Sequence, residues 1–271
     1  GSASPGALHG RTSAALRPRL MRILLANDDG IHAPGLEVLE SIANELSDDV
    51  WVCAPAEENS GAGHSLTLHM PVRLRQHGER RFSVTGTPTD AVNLALRKLF
   101  ADRPPDLLIS GINNGENLAD DITYSGTISA AMEGALAGIP AVAMSQAIRD
   151  GGHGFSAAQF WAANVLAPLL DLQMAKRTVV NVNFPALPAD KVKGIRVARQ
   201  GFHDYARGSL IEGVDPRGRP YYWFGLHDME HTLDHGTDLE AVSDGYVAVT
   251  PLQLDLTHHA SIRTLGERYA P

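Results

Sequence analysis

Met21-Arg22-Ile23-Leu24-Leu25-Ala26-Asn27-Asp28-Asp29-Gly30 joins a short apolar run to an abrupt polar turn. Apolar runs without polar alternation are typical of parallel strands that are buried on both faces. Four further runs of this kind recur along the chain: Val50–Ala54, Asp106–Ser110, Ala141–Ser145 and Thr178–Val182. Strands that alternate with helices predict an α/β fold built on a doubly wound, mostly parallel sheet.

The segments between these runs carry helix signals. Thr87-Pro88-Thr89-Asp90 combines a capping Thr, a Pro at the first helical position and an acid in the first turn, so it predicts a helix start. Gly138 and Pro140 predict the end of the next helix. Within that helix, apolar residues recur at the spacing of one face: Ile128, Ala131, Met132, Ala135 and Leu136.

The character of the sequence divides the chain into three parts. Residues 1–20 lack the apolar core of a signal peptide, so we expect an expression remnant or a disordered extension before a start at Met21. Residues 21–183 form the predicted catalytic core, with a strand pair inserted at 66–85. Residues 184–271 are rich in turns and short β runs. We expect them to form a β-rich elaboration, or oligomerisation arm, that packs on the core or on a neighbouring subunit.

Composition excludes several classes of protein. The net charge of −8 argues against binding to duplex nucleic acid, which needs a basic surface. No apolar run approaches the roughly 18 residues that span a membrane. The single cysteine, Cys53, lies in an apolar run, which predicts a buried thiol and suits a reducing cytoplasm. An acidic protein that acts on an anionic substrate needs a local cation, which a bound metal would supply.

The first polar loop contains two adjacent acids, Asp28 and Asp29. Ligands of open α/β sheets bind beyond the carboxyl ends of the strands, where this loop lies. Adjacent carboxylates converge only where the backbone turns, and Gly30 permits such a turn. Two converging carboxylates repel each other, and a hard divalent cation removes the conflict. A solvated turn or helix cap is the alternative interpretation of the same residues.

The second polar loop is Asn59-Ser60-Gly61-Ala62-Gly63-His64-Ser65. Gly61 and Gly63 allow backbone amides to approach an anion closely. A dinucleotide fingerprint would need a third Gly at position 66, which is Leu, so a dehydrogenase is disfavoured. The stretch from Gly63 to Thr67 also lacks the final Gly of a hydrolase nucleophile elbow.

The third polar loop, Ser110–Leu118, is followed by Tyr124-Ser125-Gly126-Thr127 at the start of a predicted helix. A helix N-terminus offers unpaired N–H groups and partial positive charge, and hydroxyl groups there complete a phosphate cradle. Simple capping of the helix by Ser125 or Thr127 is the alternative.

Several separated motifs, in this order, resemble the SurE family. The resemblance runs from Met21 to about Thr257, and Asp120-Asp121 also belongs to it. The stretches that carry it are Met21–Gly35, Asn59-Ser60-Gly61-Ala62, Gly86-Thr87-Pro88-Thr89-Asp90, Ser110–Leu118, Tyr124-Ser125-Gly126-Thr127, Gly236-Thr237-Asp238, Asp244-Gly245-Tyr246-Val247 and Thr250-Pro251-Leu252.

The resemblance implies a Rossmann-like, three-layer core and a metal-dependent phosphomonoesterase. Its expected substrates are nucleoside 5′-monophosphates, with 3′-monophosphates and short polyphosphate as further candidates. The implied metal ligands are Asp28, Asp29, Ser60 and Asn113, an all-oxygen set that suits one Mg²⁺ or Mn²⁺ ion per subunit. The implied phosphate contacts are Asn117, Ser125, Gly126 and Thr127. A homodimer or homotetramer is also implied.

The expected mechanism is attack by water on phosphorus, with Asp28 or Asp29 accepting the proton of the water. A nucleotide-binding sensor without catalysis is the alternative, although it has less reason to combine both acids with Asn113. His32 and His64 lie in or near the polar loops and are candidate acids or supporting groups. Three further histidines, His227, His231 and His235, have helical spacing but no accompanying apolar face, which favours an exposed loop over a metal site.

Overall fold

The computed structural model describes residues 21–149, 154–203, 209–225 and 234–270. Within these ranges, nine strands form one sheet in the order β3-β4-β2-β1-β5-β6-β7-β11-β8, and β9 and β10 form a separate hairpin. The strands are β1 Arg22–Ala26, β2 Asp49–Pro55, β3 Leu74–Gly78, β4 Arg81–Val84, β5 Leu107–Asn114, β6 Ala141–Gln146, β7 Thr178–Phe184, β8 Ile195–Val197, β9 Ser209–Val214, β10 Pro220–Gly225 and β11 Val247–Gln253.

Six α-helices accompany these strands in the described residues. They are α1 Pro34–Asn44, α2 Pro88–Leu94, α3 Gly126–Leu136, α4 Ser156–Leu169, α5 Asp238–Ser243 and α6 His259–Tyr269. The predicted start of α2 is confirmed: the Thr87 hydroxyl accepts from the Asp90 N–H, and the Asp90 carboxylate accepts from the Thr87 N–H. None of the described helices combines the length and apolar character needed to cross a membrane.

The sheet has the predicted doubly wound, mostly parallel arrangement. Strand β1 pairs in parallel with β2 on one side and with β5 on the other. The chain therefore reverses its winding direction at β1, which is where open sheets of this kind have their ligand crevice, beyond the carboxyl ends of the strands. Strands β3 and β11 run antiparallel to their neighbours β4 and β7.

Alternate side chains of β1 show the three layers directly. Ile23 and Leu25 belong to the cluster that contains α1 and α4, whereas Leu24 and Ala26 belong to the cluster that contains α2 and α3. All four side chains are fully buried. A strand covered on both faces needs an uninterrupted apolar run, which explains the sequence of β1. Cys53 is likewise fully buried, as predicted.

The structure also refines several boundaries. Within the predicted strand pair at 66–85, only Leu74–Gly78 and Arg81–Val84 are extended strands, β3 and β4. Strand β5 continues to Asn114, through residues that we expected to be a loop, because 113 and 114 pair with β6 after a register shift. Strands β8 and β11 extend the core sheet beyond residue 183. The division of the chain at residue 183 stays a prediction. Residues 1–20, the predicted extension, lie outside the described ranges.

Candidate active site at the end of the central strand

Asp28 and Asp29 lie directly after β1, where the crevice opens. Asp28 is buried, with 4% of its surface exposed, and Asp29 is half-buried. Gly30 turns the chain with a φ of +100°, in the region that favours glycine. A Cβ atom on Gly30 would lie 3.2 Å from the backbone carbonyl carbon of Glu57, so this turn packs tightly against the segment that leads into the second polar loop.

Both carboxylates are held in conditions that disfavour their charge. The pKa of Asp28 is raised from 3.8 to about 6, and burial is the largest cause. A hydrogen bond from Thr127 lowers this pKa and the charge of Asp29 raises it, so the value of about 6 is the net result. Burial also raises the pKa of Asp29, against a hydrogen bond from the Asn114 N–H at 3.2 Å. The charge of Glu58 raises the pKa of Asp29 further. A nearby cation would relieve these costs.

The N-terminus of α3 meets Asp28. The hydroxyl of Thr127 donates to Oδ1 of Asp28. Gly126 permits this approach, because a Cβ atom there would lie 2.7 Å from the Cβ of Asp28. Ser125 caps the helix, accepting from the Ile128 N–H at 3.1 Å. Capping and a phosphate cradle are compatible here, since the first N–H groups of a helix have no partner within the helix and one side-chain cap satisfies only one of them.

The second polar loop lies against the segment that contains the paired acids. The Asn59 N–H donates to the backbone carbonyl of Asp28 at 2.8 Å. The hydroxyl of Ser60 is exposed and donates to the carboxylate of Glu58 at 2.8 Å. Gly61 has a φ of +73°, and a Cβ atom there would meet no other atom within 4 Å, so its backbone borders open space.

The third polar loop contributes from β5. The side-chain amide of Asn113 donates to the Gly115 carbonyl at 2.8 Å, which leaves its Oδ1 as the atom suited to a cation. Asn117 is buried, and its side-chain amide donates to the hydroxyl of Ser145 at 2.8 Å. The structure thus brings the expected ligand loops together, while the ligand and phosphate roles of the individual residues stay predictions.

Two functional candidates on β7 were not predicted. Asn181 and Asn183 are fully buried, and both side-chain amides donate to the Asn117 carbonyl, at 2.9 and 3.1 Å. Oδ1 of Asn183 also accepts from the Asn117 N–H at 2.8 Å. We call these three residues the asparagine clamp. Its signal in the sequence is the polar Asn at alternate positions of an otherwise apolar strand.

Each candidate histidine that the structure describes contacts another side chain. His64 Nε2 lies 2.6 Å from a carboxylate oxygen of Glu133 on α3. The rings of His32 and His77 meet edge to face, with centroids 5.7 Å apart. His235 is exposed, with Nδ1 3.1 Å from Glu240. His227 and His231, which complete the predicted helical spacing, lie outside the described residues.

Comparison with known proteins agrees with this architecture. The family model described as Survival protein SurE matches residues 23–207. A protein of Erythrobacter litoralis named 5′-nucleotidase SurE is 67% identical over 251 residues, covering 92% of this chain and 100% of the relative. A protein of the same name from Rhizorhabdus wittichii is 57% identical, again covering 92% of this chain and 100% of the relative.

A solved structure has a similar fold. The crystal structure of the SurE protein from Aquifex aeolicus aligns with a TM-score of 0.81 at 39% identity. The alignment covers 91% of this chain and 99% of that chain. The core sheet, the paired acids and the helix that meets them thus occur in a chain related over nearly its whole length to these proteins, and the chain belongs to the SurE family.

Proposed function

We propose that this chain is a metal-dependent phosphomonoesterase that hydrolyses nucleoside 5′-monophosphates to nucleoside and phosphate. The observation that carries the proposal is the convergence of Asp28 and Asp29 with the N-terminus of α3 at the crevice beside β1. Paired acids suit a cation, and a helix N-terminus suits a phosphate. The relatives named 5′-nucleotidase SurE support the choice of substrate.

The residues present fit a hard divalent cation. The proposed ligands are the carboxylates of Asp28 and Asp29, the hydroxyl of Ser60 and Oδ1 of Asn113, which are all oxygen donors. The buried carboxylate of Asp28 is costly to ionise without a neighbouring positive charge. When bound, Mg²⁺ or Mn²⁺ supplies positive charge that polarises the phosphoryl group and makes a water molecule more acidic.

The protein's own groups bind and orient the phosphate. The first N–H groups of α3, at Gly126 and Thr127, donate to phosphate oxygens, where the partial charge of the helix is positive. The backbone of Gly61 and the side chain of Asn117 complete the cradle from the second and third polar loops. Groups fixed before the reaction stabilise the charge that develops on the transferring phosphoryl group.

The reaction is a displacement by water. The water oxygen forms a bond to phosphorus as the bond from phosphorus to the nucleoside oxygen breaks. One of the two carboxylates, Asp28 or Asp29, accepts the proton of the attacking water. The departing nucleoside oxygen takes up a proton from solvent water, so a nucleoside and inorganic phosphate are released.

Exposed apolar surfaces support assembly of several copies through the β-rich part of the chain. On the β9–β10 hairpin, Ile211 is 58% exposed and Trp223 is 66% exposed. On α6, Ile262 and Leu265 are each 55% exposed. Such contiguous apolar side chains on a monomer mark interaction sites. We therefore propose a homodimer or homotetramer, whose mass light scattering would measure.

The function is tested by phosphate release from nucleoside 5′- and 3′-monophosphates and short polyphosphate, with and without Mn²⁺ or Mg²⁺. We expect release that needs the metal and that falls to background in Asp29→Asn. Asp102→Asn is the matched control, because Asp102 is exposed in the turn before β5, at the opposite end of the sheet. Nucleotide binding by folded protein without any release would instead support the non-catalytic sensor.

A further inference from the structure

A cleft of about 400 Å³ opens beside the proposed active site, between the carboxyl ends of β2 and β4. The Ala56 N–H donates to the Val84 carbonyl at 2.9 Å and closes its floor. Ligand sites for small molecules usually have volumes of about 300–1,000 Å³. The side chains that matter for its chemistry are Glu57, Glu58, Asn59, Thr67, Met70 and Thr87.

Two contacts join this cleft to the proposed active site. Asn59 lines the cleft, and its N–H donates to the carbonyl of Asp28 at 2.8 Å. Thr87, on the other wall, precedes Pro88, whose Cγ would lie 3.0 Å from a Cβ atom on Gly126. A molecule with its phosphate at the start of α3 therefore has its remaining part beside this cleft.

Hydrogen bonds within the protein fix the walls of the cleft. The carboxylate of Asp90 accepts from the Thr67 N–H at 3.1 Å and from the Thr67 hydroxyl. It also accepts from the Thr87 N–H at 2.9 Å. The hydroxyl of Thr85 accepts from the Arg73 N–H at 2.9 Å. These threonines are committed to the framework, so the cleft is formed before a ligand arrives.

The groups left for a ligand are of two kinds. Glu58 already accepts a hydrogen bond from Ser60 at 2.8 Å, and its charge acts on Asp29, whose pKa it raises. Glu57 is exposed on the cleft wall and offers a charged acceptor to hydroxyl groups. Met70 is 69% exposed and offers a polarisable thioether. A ligand that combines neighbouring hydroxyl donors with a flat aromatic ring matches both.

We propose that this cleft is the nucleoside subsite, in which Glu57 accepts hydrogen bonds from the sugar hydroxyls and Met70 packs against the base. This inference rests on the proposed phosphatase function and adds the recognition of a ribonucleoside to it. A carboxylate that binds sugar hydroxyls is a recurrent device in nucleotide sites of α/β proteins. The nearby acids repel a second phosphate group but not a neutral nucleoside.

The subsite is tested by binding rather than by turnover. Adenosine and 2′,3′-dideoxyadenosine are titrated into the full chain, and NMR gives each dissociation constant. We expect adenosine to bind about tenfold more tightly, since only adenosine has the sugar hydroxyls that donate to the charged acceptor. Glu57→Gln should bring the two dissociation constants close together, whereas Met70→Ala should weaken both nucleosides by a similar factor.

Matched variants separate these effects from general changes in charge or surface. Glu79→Gln makes the same change of charge in the exposed β3–β4 turn, at the opposite end of β4. Leu68→Ala truncates an apolar side chain that is 78% exposed in the same loop as Met70 but is not part of the cleft lining. Both controls should bind the two nucleosides as the unaltered protein does.

Hydrolysis of phenyl phosphate, which carries no sugar, is measured on the same samples. Metal-dependent hydrolysis without nucleoside binding would overturn the subsite and leave the phosphatase function standing. Nucleoside binding with the expected ratio, but without metal-dependent hydrolysis of either phenyl phosphate or adenosine 5′-monophosphate, would support the subsite and overturn the phosphatase function. Equal affinity for the two nucleosides, or an unchanged ratio in Glu57→Gln, would also overturn the subsite.

Discussion

The hydroxyl of Thr127 donates a hydrogen bond to the carboxylate of Asp28, across a separation of 99 residues in the chain. Both side chains are buried. The bond joins the first turn of α3 to the loop after β1. It therefore links the proposed phosphate cradle directly to one of the proposed metal ligands. Replacing either group therefore affects both halves of the site.

Thr127→Val removes this hydroxyl while keeping the shape of the side chain. The hydrogen bond favours the charged form of Asp28, so its loss should raise the pKa of Asp28 further. Because a divalent cation binds the ionised carboxylate, the pH profile of Mn²⁺ binding by the metal-free protein should move to higher pH. Thr127→Ser keeps the hydroxyl and should restore the profile. An unchanged profile in Thr127→Val would show that this hydrogen bond does not set the pKa of Asp28.

Gly126→Ala adds a methyl group where no space exists. The added Cβ would lie 2.7 Å from the Cβ of Asp28 and 3.0 Å from Cγ of Pro88, so Asp28 must shift. Because a displacement of about 1 Å costs an active site up to about a hundredfold, we expect weaker Mn²⁺ binding and a rate reduced by about tenfold or more. Calorimetric titration with Mn²⁺ measures the affinity.

Gly266→Ala on α6 is the control for this substitution, since a Cβ atom there would meet no other atom within 4 Å. It should bind Mn²⁺ as the unaltered protein does. Equal Mn²⁺ affinities in the two variants would mean that Gly126 does not set the position of Asp28.

Asn183→Ala breaks the asparagine clamp. The buried N–H of Asn117 then loses its acceptor at 2.8 Å, and its carbonyl loses one of two donors. An unsatisfied buried group costs about 1–3 kcal/mol, so the free energy of unfolding in urea should fall by roughly that amount. If Asn117 binds phosphate, the inhibition constant for inorganic phosphate should also rise.

Asn44→Ala provides the comparison for the clamp, because Asn44 is exposed at the end of α1. Its free energy of unfolding should change little. A stable Asn183→Ala with unchanged inhibition by phosphate would contradict a positioning role for Asn183.

Asp90→Asn tests the acid that fixes the walls of the cleft. Burial raises the pKa of Asp90, but hydrogen bonds from Thr67 and Thr87 outweigh it and leave this pKa below 3.8. A pKa lowered on folding means that the ionised form stabilises the fold. The contribution is complete above about pH 4 and is lost as the pH falls through the lower pKa of the folded state.

The difference in unfolding free energy between this variant and the unaltered protein should therefore be largest near neutral pH and should shrink in acid. Urea denaturation at several pH values measures it. Asp102→Asn should show no such trend. A difference that is constant from neutral pH into acid would contradict the assignment.

The sequence was informative wherever a single local pattern determines structure. Continuous apolar runs identified the central strands, because burial on both faces permits little else. The start of α2 followed from the capping pattern at Thr87 and Asp90. The placement of Asp28 and Asp29 followed from the rule that sites lie beyond the carboxyl ends of parallel strands.

Features that depend on distant pairing were missed. Strand β11 lies antiparallel to β7, with Ala248 opposite Asn183. No local sequence pattern predicts that these two strands pair. The asparagine clamp joins β7 to the loop after β5, and each Asn alone suggests only a turn or a weak strand. The cleft is likewise invisible in sequence, because Glu57 and Thr87 come together only through the pairing of β2 with β4.

The position of β1 at the reversal of the sheet also determines the order in which the residues of the site emerge during synthesis of the chain. The proposed metal ligands extend from Asp28 to Asn113, and the clamp adds Asn183 on β7. A chain emerging from the ribosome therefore has both acids early but lacks the complete site until β7 has followed. An ion held by the proposed ligands would therefore act late in biogenesis, on a sheet that is already assembled, because it stabilises only the chain in which the site is complete.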